Sequence, residues 1–477
     1  MGQSDITLMS MYEVSKLIAQ RKVSPVELVD ACTKRTQALQ DKLFAYITFL
    51  GEQAWEDAKL AEEQIMKDGP KSPMHGIPIS IKDLYYTKGI RTTAGSKFLE
   101  DFVPEHNSTI VQRMLDAGAI NMGKTNTHSW AFAAHSHSYF GQSRNPWNPD
   151  RIPGGSSGGA GIAAATGMSY VSIGTDTGGS VRIPASLCGC VGYKPTYGLA
   201  SLAGIVPLSY TLDHPGPLTR SVMDCAIWAD LITGFDPLDP CPSRYRGGPT
   251  SFVPELEKVD SMKGMRVGVP TNFYFDKCLP EIERLYRDAL KEMEELGATL
   301  VDVNIAMVER VQEVSAVVMY SEAAHFHRKR LETNPEGFSP MDTMRLQQGL
   351  NNSVNSYIDG MLLREEITRA WEDSIKDVDV VATPTTSIPA FPIGTPDEMV
   401  TMKIEINGNL ESVNEMIVRN TRLGNTTGTP CISIPMGFTS EKLPCGLMFS
   451  GRQHHDVDVL KAAWAYERHN PYLFPAI

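Results

Sequence analysis

RIPGGSSGGAGIAAATGMSYVSIGTDTGGS, residues 151–180, carries formal charge only at Arg151 and Asp176. Glycine, serine, alanine and threonine fill most of the rest. A run so poor in ionisable groups reads as the buried centre of the protein. Within it SSGGAGIAAATGM predicts a helix whose small side chains let its backbone approach its neighbours closely. YVSIGTD (170–176) predicts a strand ending in the turn TGGS. Alternation of helix and strand marks an α/β protein. It continues outward on both sides. Upstream, GIPISIKD (76–83) spaces Ile77, Ile79 and Ile81 as a strand does, and STIVQRMLDAGA (108–119) is an amphipathic helix followed by a short apolar piece at 119–123. Ser24-Pro25 supplies a cap and a first-turn proline for a helix over VELVDACTKRTQAL. Downstream, GMRVGVP opens a strand and EIERLYRDALKEMEELG a strongly amphipathic helix. Residues 305–376 read as mostly helical, and VDVVATPTTSIPAF (378–391) and CISIPMGF (431–438) as strands.

The whole chain has 477 residues, 42% hydrophobic and 21% charged, as a soluble globular protein does. A formal charge of -12 gives no basic field for a nucleic-acid partner. MGQSDITLMS lacks the basic and apolar regions of a signal peptide, and Ile6 stands where a myristoylated Gly2 would want Ser or Thr. No apolar run approaches a membrane span, so a cytoplasmic protein with no membrane partner is expected. Eight scattered cysteines without a C-x-x-C pair predict buried, reduced thiols and no metal site. Proline, glycine and polar residues over 236–262 mark a candidate subdomain boundary. The second half nonetheless interleaves with the first, which favours one domain over 1–477. Its parts are N-terminal helices (1–70), a core (75–230), a largely helical pocket region (236–376) and closing strands and helix (378–477).

Ser156 and Ser157 each satisfy G-x-S-x-G, the pattern of a hydrolase nucleophile elbow. An elbow needs a strand directly before it, and Pro146, Pro149 and Pro153 break SRNPWNPDRIP. A phosphate cradle would need a G-K-[ST] ending, which is absent. The second serine-bearing turn suits chemistry better. There a strand runs into Thr177-Gly178-Gly179-Ser180, where glycines let successive N–H groups converge on one point as a nest. A hydroxyl at the end of such a nest can attack a carbonyl while the amides receive the developing oxyanion. Such a serine needs a base. His128, His135, His137, His454 and His455 are read as surface or supporting residues. Lys82 ends the apolar strand, where burial would make a neutral amine; the alternative is a strand-end pair with Asp83.

Together GIPISIKD, NPWNPDRIPGGSSGGAGIAAATGM, GTDTGGSVRIPASLCGCVGYKPTYG and LDHPGPLTRSV resemble the amidase signature family, strongly over 75–230 and more weakly to the chain's end. The resemblance implies a large mixed, mostly parallel β-sheet covered by helices on both faces. It implies Ser180 as nucleophile, Ser156 as proton relay on a cis peptide bond to Gly155, and Lys82 as general base. Thr177, Gly178, Gly179 and Ser180 would form the oxyanion hole, with Ser157, Asp176 and Arg182 as a supporting network. No cofactor is implied, and weakly a homodimer is. A stand-alone hydrolase of small amides is the first reading. Carbamate or urethane cleavage by the same triad, a glutamine-hydrolysing subunit of the tRNA-dependent amidotransferase and a non-catalytic scaffold are the others. That subunit carries a substrate-binding Asp near the place of Val418 here, which weakens the glutamine reading. Arg345 is read as an exposed helical residue rather than a carboxylate ligand. Tyr139, Phe140, Trp147, Tyr210 and Met223, with the helical region 300–376, are expected to shape the acyl pocket.

Overall fold

The computed structural model describes residues 5–241, 251–470 and 474–475. Gly2 lies outside them, as does part of the boundary expected over 236–262. The strands are β1 (Tyr46–Phe49), β2 (Pro78–Lys82), β3 (Ile120–Thr125), β4 (His137–Ser138), β5 (Gly141–Gln142), β6 (Val171–Asp176), β7 (Val191–Lys194) and β8 (His214–Thr219). They continue as β9 (Arg266–Pro270), β10 (Thr299–Val303), β11 (Val380–Pro384), β12 (Lys403–Ile406), β13 (Asn409–Ser412), β14 (Cys431–Phe438) and β15 (Pro444–Ser450). Two small ribbons, β4–β5 and β12–β13, stand apart. The other strands form one 11-stranded sheet in the order β1-β3-β2-β6-β8-β7-β14-β15-β11-β9-β10.

The expected large mixed sheet is present. Its parallel ladders occupy two flanks, β3-β2-β6 and β11-β9-β10. Between them pairing is antiparallel, so parallel geometry does not run through the whole sheet. For the pair β14 and β15 the cause is connection length. The five residues between β14 and β15 make a hairpin, which only antiparallel neighbours can use, whereas parallel neighbours need a crossover. Helices cover both faces. Alternation along β14 turns Cys431 and Ser433 toward the helices Arg182–Cys188 and Arg422–Thr426. Ile432 and Ile434 turn the other way, where Pro280–Glu295 and Asp456–Glu467 pack. Among the described residues no helix is long and apolar enough to cross a membrane.

The local expectations hold where pattern decides them. Ser24 caps the helix Pro25–Leu43, its Oγ accepting from Glu27 N at 3.2 Å, and Ser108 caps Thr109–Asp116. The glycine-rich helix Gly158–Thr166 is buried on every side. Glycine inside a helix is costly, yet at Gly159 a Cβ would meet Ala45 O at 2.3 Å and Asn126 N at 2.6 Å. Both are backbone atoms that cannot step aside. Gly159→Ala should therefore lower stability by about 1–3 kcal/mol or prevent folding. Gly178→Ala is the control, since a Cβ there has nothing nearer than 3.8 Å. Thermal melts of the two variants check this; an unchanged Gly159→Ala melt would refute the packing argument.

Candidate active site

Strand β2 lies between β3 and β6, and all five of its residues are buried. Lys82 at its end carries its amino group into a cage of hydroxyls. Nζ lies 2.8 Å from each of Ser156 Oγ, Ser157 Oγ and Thr175 Oγ1. The alternative pairing with Asp83 does not form. Successive strand residues face opposite ways, and Asp83 pairs instead with Lys124 at 3.1 Å. Burial pulls the Lys82 pKa down to about 7, against the upward pull of Asp213 and Asp176. Near neutral pH a large share of Lys82 is therefore the free amine.

Ser156 and Ser157 precede the helix Gly158–Thr166, and the Gly155–Ser156 peptide is cis. Gly155 has room for nothing larger, because a Cβ would sit 2.6 Å from the His135 backbone. His128 and His135 are not surface residues. They are buried edge to face, ring centroids 4.8 Å apart, and His128 N donates to Ser156 O at 3.1 Å. Burial depresses both, His128 to about 3, so both rings are neutral supports for the loop. His455 pairs with Asp458 at the last helix, and neither His454 nor His455 reaches the site.

Beyond β6 the turn Thr177–Ser180 folds around the Asp176 carboxylate. Asp176 accepts from Gly179 N at 2.8 Å and from Val181 N at 3.2 Å, and it pairs with Arg182 at 2.9 Å. Burial alone would raise the Asp176 pKa, but Arg182, Lys194 and Asn425 hold it well below the usual carboxylate range. Breaking such a buried pair costs about 3–5 kcal/mol. One expected oxyanion donor is thereby removed: the Gly179 amide is spent on Asp176. Among the described residues the Thr177, Gly178 and Ser180 amides have no acceptor. Gly179 has φ +130°, and a Cβ there would sit 2.3 Å from Thr421 Oγ1, so glycine is required. Thr177 Oγ1 donates to Asp213 at 2.6 Å, which fixes the turn from the other side.

Ser180 is 8% exposed and lines a cleft with Phe132, Leu208, Met319, Tyr320 and Val418. The loop that carries Ser156 is close to it, since Ser157 N donates to Ser180 O at 3.3 Å. No hydrogen bond joins Ser156 Oγ to Ser180 Oγ in this arrangement, and Ser180 Oγ has no partner among the described residues. From the helical region expected to shape the pocket, Met319, Tyr320 and Arg345 line this cleft. The five expected pocket residues do not. Trp147 is held by Cys188 O and packs on Phe438, Met223 lies in the core, and Tyr139 lines a separate cavity. Phe140 and Tyr210 are also absent from the cleft wall. Arg345 is not exposed as expected: it lines the cleft, half-buried, donating to Phe132 O and lying over the Phe132 and Tyr320 rings.

Sequence reasoning missed Thr175, Thr421, Asn425 and Arg422. Thr421 Oγ1 donates to Gly178 O at 2.6 Å, and Asn425 Nδ2 to Asp176 O at 2.8 Å. For Asn425 the usable signal is the uncharged run LGNTTGTP at 423–430, rich in glycine and threonine.

The family profile described as Amidase matches residues 27–460. The chain belongs to the amidase family. It is accordingly a hydrolase of amide carbon–nitrogen bonds. An amidase of Pseudomonas putida is 37% identical over 467 residues, covering 98% of this chain and 97% of that one. A glutamyl-tRNA(Gln) amidotransferase subunit of Moorella thermoacetica is 32% identical over 507 residues, covering 98% of each. Among solved structures, a bacterial aryl acylamidase of the amidase signature family superposes with TM-score 0.88 at 26% identity, covering 97% of this chain and 96% of that one. A chain from a vestigial protein complex that reveals the origins of an s-triazine catabolic enzyme superposes with TM-score 0.90 at 28% identity, covering 98% and 100%. Family membership thus spans relatives of two kinds, amidases and amidotransferase subunits.

Proposed function

We propose that the chain is a stand-alone amidase of small molecules, with Ser180 as nucleophile, Ser156 as relay and Lys82 as general base. Neutral Lys82 takes a proton from Ser156, which takes one from Ser180 as its Oγ attacks the amide carbon. The Thr177, Gly178 and Ser180 amides receive the oxyanion, and the proton returns through Ser156 to the departing amine. Water then cleaves the acyl-enzyme by the same path. A small rotation of Ser180 Oγ toward Ser156 on substrate binding completes the relay, as catalytic hydrogen bonds commonly tighten only with substrate in place.

The observation that carries the stand-alone reading is the cleft wall. Among the described residues Val418 stands there with Arg345 and Arg422, and no carboxylate does. The ammonium of glutamine would find two cations and no counter-charge, which an amide lacking that group escapes. The purified chain should release ammonia from simple aliphatic and aryl amides without added subunits. Its kcat/KM for glutamine should be about tenfold or more below that for 4-carbamoylbutanoate, which is glutamine without the amine. Preference for glutamine, or activity only after partner subunits are added, would refute the reading.

A further inference from the structure

Two arginines share the cleft that Ser180 lines, and among the described residues nothing acidic lines it with them. Their situations differ. Arg345 is already engaged by the Phe132 carbonyl and two aromatic faces. Arg422 has its backbone in the helix Arg422–Thr426, directly after Thr421, which holds the Gly178 carbonyl. The Arg422 Cγ lies 3.8 Å from where a side chain on Gly178 would begin. Its guanidinium makes no hydrogen bond or ion pair among the described residues. Burial, helped by the like charge of Arg345, pulls it down to about 10, so it stays protonated at neutral pH. Glu415 is the acid nearest in effect. It is exposed, lines a neighbouring cavity that Arg419 and Arg422 also border, and forms no ion pair with Arg422.

A half-buried guanidinium with five donors and no acceptor is an unusual expense, because proteins pair such groups when they leave water. Here the missing partner has a place to stand. From the cleft side a planar carboxylate can take two parallel N–H donors from Arg422, the geometry that the guanidinium fork fits best. We propose that the substrates this enzyme prefers are amides bearing a carboxylate, which Arg422 holds while the oxyanion nest receives the scissile carbonyl. The inference rests on the amidase reading and narrows its substrate class. Arg345 adds positive charge to the same cleft without needing to touch the carboxylate. Val418, Leu208 and Met319 leave the middle of the substrate an apolar path.

The test compares isosteric pairs, because the carboxylate can sit on either side of the amide. On the acyl side the pair is 4-carbamoylbutanoate and 5-oxohexanamide; on the amine side it is N-acetylglycine and N-(2-oxopropyl)acetamide. The wild-type enzyme should favour the anionic member of at least one pair by about tenfold or more in kcat/KM, mostly through KM. Arg422→Gln should bring that ratio to within about twofold of unity, and Arg422→Lys should keep part of it. The ratio is what is read, since a merely structural loss lowers both members alike. Glutarate, added as a probe, should raise the melting temperature of the wild type and not of Arg422→Gln. Turnover of neutral amides with no anionic preference in either pair overturns this inference and leaves the amidase reading intact. If no amide is turned over, the amidase reading fails, and the glutarate shift alone decides whether Arg422 binds a carboxylate.

Discussion

Ser180→Ala is expected to abolish covalent labelling by a fluorophosphonate and to cut kcat on any amide substrate by about a thousandfold or more. The argument is one of access. Ser180 is the only serine among the described residues lining the cleft, and its Oγ has no hydrogen-bond partner to hold it back. Ser156 and Ser157 are wholly buried and bonded to Lys82, so an electrophile in the cleft meets Ser180 first. Thr177 also lines the cleft, but its hydroxyl is committed to Asp213. The wild-type adduct should map by mass spectrometry to the peptide holding Ser180. An adduct on Ser156 or Ser157 would sink the assignment. Folding is a small confounder here. The substitution removes an unpartnered hydroxyl near the surface of a cleft, so stability should stay within about 0.5 kcal/mol of wild type.

The parts of this site that could be read from sequence are the parts held by local chemistry. The alternation of GIPISIKD, the small residues after Ser157 and the glycines of Thr177–Ser180 each encode a conformation within a few residues. Strand β2, the helix Gly158–Thr166 and the turn after β6 therefore stood where expected. What stayed hidden is what distant segments supply. Thr421 and Asn425 reach the Asp176 turn from far down the chain, and no spacing rule links the two runs. The exchange of partners between Lys82 and Lys124 at Asp83 was equally invisible, because it depends on which strand lies beside β2. The pocket was misread for a related reason. Large aromatics such as Trp147 and Tyr139 attract attention in sequence, yet the cleft wall is set by where the loop 131–134 and the helix Tyr320–Thr333 cross, and that is a matter of packing. The Gly179 amide, turned to Asp176 rather than to the cleft, likewise follows from a carboxylate that outcompetes an empty oxyanion position for a donor.

Lys82→Met should lower kcat/KM by about a thousandfold, within the range expected for losing a general base. Its pH behaviour carries the sharper test. Under the proposed mechanism the active form holds Lys82 neutral, so wild-type kcat/KM should rise with pH through about 7 and level off above it. Residual activity of Lys82→Met should lack that limb. Stability supplies an independent check. An unfolded lysine titrates near its ordinary value of 10.5, and the folded one near 7, so between these values the unfolded chain binds more protons. Wild-type stability must then gain from rising pH across that window through this residue, and a methionine variant cannot share the gain. The stability of Lys82→Met relative to wild type should accordingly fall as pH is raised from 7 toward 10. A relative stability that is flat across the window, with the acidic limb of kcat/KM unmoved by the substitution, would mean that Lys82 is charged in its cage and that another group serves as the base. The geometry argues against that outcome. Three hydroxyls at 2.8 Å can all accept from an ammonium, but a free amine can donate to two of them and accept from the third, and only that arrangement lets Ser156 hand its proton over.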